Sequence, residues 1–413
     1  MAKSHLIGLL LASEEDWPAA FESVLRRLGP ITYRGETHEF PTERVMNEPF
    51  DLRYQPRYAL VIDRLSWWYN VPREWLKKIA LMNDVYLLNS PFTFQSMEKH
   101  SAYCAGMRLG LKVPETWLIP HRVPPDNPRY LPVAERYSKP FDLDQIAGYL
   151  GYPLFMKPFD GGMWVGVTRI TNPEELRFTY DHSGERLMHL QAAVDEYEVF
   201  TRSLSIGPQT KVMRYDPGAH GHYRYVAGHD FSPELERELA IISRLVNAFF
   251  RWEFNSCEAA VKEGHAYPID YANASPDIAL VSLHYYFPWA IESLAAWCIF
   301  CATTERASLR LEPITRDYFE VGDSEDLTYE QKIDRYDRLG NLYFQAEQFA
   351  EFRAEALPNL HELMVEYVES KEFDDLVVSS IRLEVEPERH DEMIERCRER
   401  TASWAADQHA EAR

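Results

Sequence analysis

A lysine followed by a pair of glycines is the segment of this sequence that most clearly suggests chemistry. Residues 156–167 read Met-Lys-Pro-Phe-Asp-Gly-Gly-Met-Trp-Val-Gly-Val, so a strand delivers Lys157, the pair Gly161 and Gly162 follows, and a second strand leaves. The backbone N–H groups of such a loop can approach phosphate oxygens closely while the lysine contributes a cation. The segment is not a Walker A sequence, because no Gly-Lys-Ser/Thr follows and strands flank it. A glycine hairpin with an exposed lysine is the alternative interpretation.

Two acids and an asparagine about a hundred residues later form a second candidate site. Glu258 lies on a strand-like run that turns at residues 262–264 and returns to Asp270 and Asn273. A hairpin over these residues would bring the three side chains together. Two carboxylates and an amide oxygen suit Mg²⁺, especially when nucleotide phosphates complete the octahedron. The alternative is a hairpin with solvated acids, which the absence of other charges around Asp270 disfavours.

The elements that position these residues follow from the hydrophobic pattern. Residues 1–90 alternate strand-like and helix-like runs, which predicts an open α/β sheet. We expect a helix over 94–109, a strand over 113–120 and a short helix capped by Asp142. A mostly antiparallel, strand-rich block follows up to residue 272, interrupted by a helix over 232–251 that Ser232 caps. From residue 276 the pattern is mainly helical, with one long helix over 329–356 and a late strand over 376–385.

Length and charge restrict the class of protein. The chain has 413 residues and a net charge of −21, which excludes a nucleic-acid binder that works through bulk positive charge. Apolar content of 46% and charged content of 26% are ordinary for a globular protein of two or three domains. The part from Pro313 onward has 26 acidic and 12 basic residues and carries −14 of the −21. The positive and negative charges of the remaining residues are nearly equal in number, so a local basic pocket that binds an anionic ligand is not excluded.

The cysteines and apolar runs predict a cytoplasmic protein that does not cross a membrane. Five irregularly spaced cysteines and the absence of a secretory signal indicate a reducing compartment. His284, Pro288 and Glu292 interrupt the longest apolar stretch, which argues against a membrane span. Cys298 and Cys301 form a C-x-x-C pair inside an apolar helical run with no second pair, so we interpret them as buried structural residues rather than a metal or redox site.

The order of these parts resembles the ATP-grasp superfamily, nearest in layout to the D-alanine–D-alanine ligase, glutathione synthetase and ribosomal-protein glutamate ligase group. The resemblance covers about residues 1–310. It begins with Asn89-Ser90-Pro91, then Lys99 and the run Gly-Leu-Lys-Val-Pro-Glu-Thr over 110–116. The lysine–glycine loop, a strand over 189–194 followed by acids, and the two metal strands come next in the same order.

The resemblance implies an α+β / α/β ATP-grasp fold with a C-terminal helical extension. It divides the chain into an N-terminal α/β domain (1–92), a lysine/glycine-loop subdomain (93–190), a hinge and metal-binding subdomain (191–310) and an acidic, mainly helical extension (311–413).

The resemblance also implies roles for individual residues. ATP phosphates would contact Lys99, Lys157, Gly161 and Gly162, and the adenine hinge would include Gln191, Ala193 and Val194. Glu198 would hold the ribose, and Glu258, Asp270 and Asn273 would hold Mg²⁺ (or Mn²⁺). Lys211 and Arg224 would bind the γ-phosphate and the acyl phosphate. The spacing from Asp270 to Asn273 is one residue longer than the usual acid-x-Asn, so a strand bulge or a displaced amide is to be expected.

The activity implied is that of an ATP-dependent carboxylate–amine ligase, which forms an acyl phosphate and then an amide. A phosphotransferase that stops after the first step and a non-catalytic nucleotide-binding scaffold are the alternatives. Its partners would be small carboxylates and amines, with neither nucleic acid nor membrane. Arginines in the expected substrate loops, around 30–56 and 121–141, suggest an anionic acid: Arg34, Arg44, Arg53, Arg57, Arg122 and Arg129.

Two segments keep more than one interpretation. His220 and His222 lie in a glycine-containing loop that could contact substrate, but a solvated loop is the simpler interpretation. The acidic helical extension could pack on the rest of the chain, form a homodimer or bind a basic partner.

Overall fold

A computed structural model describes residues 2–46, 49–83, 85–96, 98–124, 129, 136, 140–159, 165–228, 231–273, 275–306 and 316–411. The N-terminal part is the expected α/β unit. A parallel sheet has the order β5-β2-β6-β7, and a small sheet of order β1-β4-β3 lies beside it. Its elements are β1 (Lys3–Ser4), β2 (Leu6–Leu10), α1 (Asp16–Leu28), β3 (Ile31–Tyr33), β4 (Glu36–Glu39), β5 (Thr42–Arg44), β6 (Tyr58–Asp63), α2 (Asn70–Asn83) and β7 (Tyr86–Leu88).

The middle of the chain forms two antiparallel sheets. The first has the order β10-β9-β11-β8 and a small core of its own, which includes Met156 and Leu190. Its elements, with the helix that precedes them, are α3 (Lys99–Arg108), β8 (Thr116–Ile119), α4 (Leu143–Leu150), β9 (Leu154–Pro158), β10 (Thr168–Ile170), α5 (Pro173–Asp181) and β11 (Met188–Ala192).

The second sheet has the order β14-β13-β12-β15-β16 and packs into the main core. Its elements are β12 (Val199–Ile206), β13 (Gln209–Tyr215), β14 (Tyr225–Val226), α6 (Pro233–Phe250), β15 (Phe254–Lys262) and β16 (His265–Asp270). The predicted caps are confirmed, since Asp142 accepts from two amides at the start of α4 and Ser232 accepts from Leu235 at the start of α6. The predicted helix over 94–109 begins only at Lys99, after a 3₁₀ segment at Pro91–Ser96.

The remainder is helical, as expected, but two details differ from the sequence prediction. The helices are α7 (Leu280–Leu283), α8 (Phe287–Thr303), α9 (Arg316–Asp323), α10 (Tyr329–Phe344), α11 (Ala346–Ala356), α12 (Leu360–Val368), α13 (Lys371–Glu384) and α14 (His390–Glu411). The late strand over 376–385 is wrong, because α13 covers it and buries Phe373, Val377 and Ile381 at helical spacing. The single helix over 329–356 is also wrong, since Gln345 adopts a left-handed conformation and separates α10 from α11.

The apolar helix α8 lies at the centre of the main core. Its residues are almost all buried, and Cys298 and Cys301 are free thiols among them, as predicted. None of the described helices combines the length and the apolar character that a bilayer crossing requires. The four domain ranges given above remain predictions.

Candidate active site

A cavity of about 310 Å³ lies between the two antiparallel sheets. Its wall from the first sheet and α3 includes Lys99, Phe155, Lys157, Val167, Arg169, Gln191 and Val194, and its wall from the second sheet includes Phe200, Glu258, Ala260, Ile269 and Asp270. The cavity thus collects six of the predicted site residues from distant parts of the sequence: Lys99, Lys157, Gln191, Val194, Glu258 and Asp270.

Lys157 is the central cation of the first sheet. Its Nζ atom donates to Oε1 of Gln191 at 2.6 Å and approaches the carbonyl of Ile269 at 3.4 Å, and it lies 5.0 Å from the ring centre of Tyr103. Burial lowers the pKa of Lys157 to about 7, against the opposing effect of the Asp270 carboxylate. The lysine is therefore held by neutral acceptors, and a bound anion would favour its charged form.

A β-bulge brings the two predicted metal acids face to face. The two-residue turn at Glu263 and Gly264 has positive φ at both positions and sets the register of β15 against β16. The bulge skips Ile269, so Asp270 rather than Ile269 pairs with Glu258. The carbonyl of the bulged Ile269 accepts from the hydroxyl of Tyr103 at 3.0 Å. One extra residue thus places both carboxylates on the same face.

The electrostatics of this pair suit a bound cation. Burial raises the pKa of Glu258. The charge of Arg202 opposes this increase, and the charge of Asp270 adds to it. Oδ2 of Asp270 lies 2.7 Å from Nζ of Lys99, while its Oδ1 is buried and has no hydrogen-bond partner among the described residues. A buried carboxylate oxygen without a donor is well suited to bind a hard metal ion.

The predicted third ligand is held by other groups. The side-chain amide of Asn273 donates to Oγ of Ser256 at 3.0 Å, and its backbone N–H donates to Oδ1 of Asn255 at 2.8 Å. In the part of the chain that is described, no group of three His, Cys, Asp or Glu side chains could hold a metal ion by itself. The residues therefore fit Mg²⁺ as two carboxylates, which leaves further positions to amide, water or phosphate oxygens.

Arg202 is a site residue that the sequence analysis missed. It is buried on β12 directly opposite Glu258, with an Nη1–Oε1 distance of 3.6 Å, and its Nε donates to Ser256 at 3.2 Å. The rings of Tyr215 and Tyr225 lie 5.4 and 5.9 Å from its guanidinium carbon. The signal in the sequence was a lone arginine within the strand Val199–Ile206, whose other residues are apolar or hydroxyl-bearing.

The predicted catalytic cations lie at different distances from the cavity. Lys211 lies on β13, pairs with Leu204 of β12 and does not line the cavity. Arg224 ends the loop 216–224, where it donates to the carbonyl of Ala219 at 3.1 Å and the hydroxyl of Tyr215 at 3.3 Å. Arg224 also acts electrostatically on Glu258, and the start of its loop lines the cavity at Pro217 and Gly218.

The predicted nucleotide hinge is only partly in the cavity. Gln191 and Val194 line it, whereas the backbone N–H of Ala193 donates to the carbonyl of Pro153. The exposed carboxylate of Glu198 accepts from the backbone of Gly264 at 3.3 Å and does not line the cavity; Tyr197 does. Gly161 and Gly162 lie outside the described residues.

The arginines expected in substrate loops do not converge on the cavity. Arg44, Arg53, Arg57 and Arg122 form ion pairs with Glu15, Asp51, Glu43 and Asp181 at the surface, and Arg34 stacks on Tyr33. They carry no evidence for an anionic substrate.

Comparison with known proteins identifies the fold. No family model matches the sequence, and no curated protein matches it. D-alanyl-alanine synthetase A from Vibrio cholerae aligns with a TM-score of 0.50 and 13% identity over 74% of this chain and 98% of its own. An ATP-grasp RimK domain protein from Sphaerobacter thermophilus aligns with a TM-score of 0.48 and 12% identity over 71% of this chain and 98% of its own. D-alanine–D-alanine ligase from Bacillus anthracis, complexed with ATP, aligns with a TM-score of 0.47 and 13% identity over 74% of this chain and 100% of its own. The predicted ATP-grasp fold is confirmed, and at these identities the likeness concerns the fold alone.

Proposed function

We propose that this protein is an ATP-dependent ligase that joins a carboxylate to an amine, with release of ADP and phosphate. The observation that carries the proposal is the composition of the cavity between the sheets. Apolar side chains, among them Phe155, Val194 and Phe200, line it together with the cations Lys99 and Lys157 and the acids Glu258 and Asp270, and Lys99 contacts Asp270. Apolar walls together with such a charged cluster suit the base and the phosphates of a nucleotide.

The residues would act mainly by positioning and neutralising charge, as phosphoryl transfer requires. Lys157, held by Gln191, would bind phosphate oxygens, and Lys99 would do so while remaining near Asp270. Glu258 and Asp270 would hold Mg²⁺, which when bound lowers the energy of the charge that develops on the transferred phosphoryl group. Arg202 and Arg224 would stabilise the acyl phosphate, from which an amine displaces phosphate.

The test is product analysis with a panel of carboxylates and amines, ATP and Mg²⁺. We expect one acid–amine combination to give equal amounts of ADP, phosphate and a new amide, detected by mass spectrometry. A phosphorylated acid that is stable in the presence of every amine would indicate a phosphotransferase instead. ATP binding without ADP formation for the whole panel would contradict the ligase proposal.

A further inference from the structure

A second cavity, of about 370 Å³, lies in the N-terminal α/β unit and shares no lining residue with the cavity between the two antiparallel sheets. Its walls come from β5, the segment after β5, the start of β6 and the first turns of α2. Among the described residues, the aromatic side chains of Tyr54, Tyr58 and Trp75 and the acids Glu43 and Asp51 line it, and no lysine or arginine does. The cavity is therefore aromatic and negatively charged.

A glycine on the central strand β2 allows a tyrosine to lie across the sheet at this cavity. Gly8 pairs with Glu43 on β5, and a Cβ atom at Gly8 would meet Cδ1 of Tyr58 and Cγ2 of Val45, both at 3.0 Å. The hydroxyl of Tyr58 reaches β5 and donates to Oε1 of Glu43 at 2.6 Å. The ring of Trp75 lies 6.0 Å from the ring of Tyr58, at an angle of 81°. Two nearly perpendicular rings thus form one corner of the cavity.

A third ring, that of Tyr54, is held in place by a buried lysine. Nζ of Lys78 donates to the carbonyl of Tyr54 and, at 2.8 Å, to Oδ1 of Asn83, and it lies 5.8 Å from the centre of the Tyr54 ring. Tyr54 and Val71 line the cavity and yet are 59% and 60% exposed. Exposed apolar side chains grouped around a cavity are typical of a binding site.

The two acids of the cavity provide negative charge. Oε2 of Glu43 accepts from Arg57 at 2.9 Å, and Asp51 lies 3.5 Å from Arg53, but both arginines are mostly in solvent, where such pairs are weak. The hydrogen bond from Tyr58 and the charge of Arg57 hold the pKa of Glu43 below its usual value, so Glu43 is charged at neutral pH. Since both of its oxygens already accept hydrogen bonds, Glu43 offers a ligand charge rather than a vacant acceptor.

We propose that this cavity binds a small quaternary ammonium ion. The rings of Tyr54, Tyr58 and Trp75 attract such a cation through their π-electrons, and Glu43 and Asp51 compensate its charge. A quaternary nitrogen has no N–H group to donate, which matches walls made of rings and of a carboxylate whose acceptors are occupied. The net charge of −21 also favours the approach of a cation. The site is separate from the nucleotide cavity, and this inference does not depend on the proposed ligase function.

The experiment measures binding of the cation in the absence of ATP. The full chain is titrated by calorimetry at low salt with choline and, separately, with dimethylbutanol, the uncharged isostere in which carbon replaces the nitrogen of choline. We expect choline to bind and the alcohol to bind at least tenfold more weakly. Trp75→Leu, which keeps an apolar side chain but removes a ring, should weaken choline binding about tenfold. Glu43→Gln, which keeps an acceptor for Tyr58, should weaken it severalfold.

Matched variants outside the cavity serve as controls. Trp68 is an exposed tryptophan and Glu74 an exposed, ion-paired acid of the same α/β unit, and neither lines the cavity. Trp68→Leu and Glu74→Gln should therefore bind choline as the wild type does. Tyr54→Leu, at an exposed position, repeats the test of the rings if Trp75→Leu does not fold. The site is overturned if choline does not bind the wild type, if dimethylbutanol binds equally well, or if either the ring variants or Glu43→Gln bind choline as tightly as the wild type.

Discussion

Nζ of Lys99 lies 2.7 Å from Oδ2 of Asp270, whereas Oδ1 of the same carboxylate is buried without a hydrogen-bond partner among the described residues. One oxygen is thus neutralised by a lysine at the start of α3, and the residue itself pairs with Glu258 across the bulge. A buried carboxylate oxygen without a donor is costly for the fold alone. We expect such an oxygen where a metal ion or a nucleotide binds at the site.

Asp270→Asn tests this position most directly, because it keeps the size of the side chain and deletes the charge. We expect ADP formation to fall by orders of magnitude while ATP still binds through Lys99 and Lys157, since the metal contributes most in the transition state. ADP release and ATP affinity are measured on the same sample.

The matched control is Glu263→Gln on the same hairpin, where the side chain is exposed at the turn and does not line the cavity. It should behave as the wild type in both assays. ADP formation at the wild-type rate in Asp270→Asn, with a working substrate pair, would remove Asp270 from the metal site.

ATP affinity should depend on pH through Lys157. The pKa of Lys157 is lowered to about 7, so its charged fraction in the free protein falls as pH rises through neutrality, and its attraction for phosphate falls with it. We expect the dissociation constant for ATP to rise between about pH 6 and 8, and to rise less in Lys157→Arg, whose charge persists. Titration of ATP itself is common to both proteins. Parallel pH profiles for the two would contradict the assignment of Lys157 to the phosphates.

Local patterns made part of this site predictable. The hairpin at 263–264 and the helix caps at Asp142 and Ser232 depend on a few consecutive residues, so single-sequence reasoning located them. The late strand was wrong because the β-branched residues of 376–385 belong to a helical pattern that begins earlier, at Phe373. The turn at Gln345 contains neither glycine nor proline, so the local sequence does not indicate it. Phe344 and Phe349, which lie on its two sides, both pack on Trp297.

Contacts between distant segments were not predictable in the same way. The position of Arg202 opposite Glu258 depends on the pairing of β12 with β15, which are separated by another strand pair and a helix. The attachment of Tyr223 to Arg389 joins residues 166 positions apart. Nothing in either local sequence specifies such partners, because register between distant strands is set by the whole core.

Arg202→Gln should affect stability as well as activity. It leaves Glu258 buried without its nearest cation, and loss of one partner of a buried pair costs on the order of 3 kcal/mol. Because the pKa of Glu258 is raised in the folded state, the folded protein binds the proton of Glu258 more tightly than the unfolded chain does. Stability is therefore lost as the pH rises from the pKa of Glu258 in the unfolded chain to its pKa in the folded protein. Without Arg202 the pKa should rise further. Urea unfolding at acidic and alkaline pH should therefore show a larger deficit at the alkaline end.

Arg202→Lys, which keeps a positive charge, is the control for that experiment and should recover most of the stability. A deficit independent of pH in Arg202→Gln would mean that the arginine acts through packing against Tyr215 and Tyr225 rather than through Glu258.

Glu253 should stabilise one of the contacts between the extension and the rest of the chain. Its buried carboxylate accepts from Nη1 of Arg306 at 2.5 Å, from Nε1 of Trp297 at 3.0 Å, from the hydroxyl of Tyr343 at 3.3 Å and from that of Tyr86. These donors come from β7, α8, α10 and the segment after α8. Glu253→Gln removes the charge and leaves Arg306 buried, which should lower the free energy of unfolding by about 3 kcal/mol.

ATP affinity should stay at the wild-type level in Glu253→Gln, because Glu253 does not line the cavity. Arg237→Gln is the comparison, because Arg237 of α6 pairs with Asp334 of α10. That pair is exposed to solvent, where ion pairs contribute about 0–1 kcal/mol to stability. Chemical denaturation of both variants measures the difference. Equal losses of stability would mean that the buried carboxylate contributes no more than a surface pair.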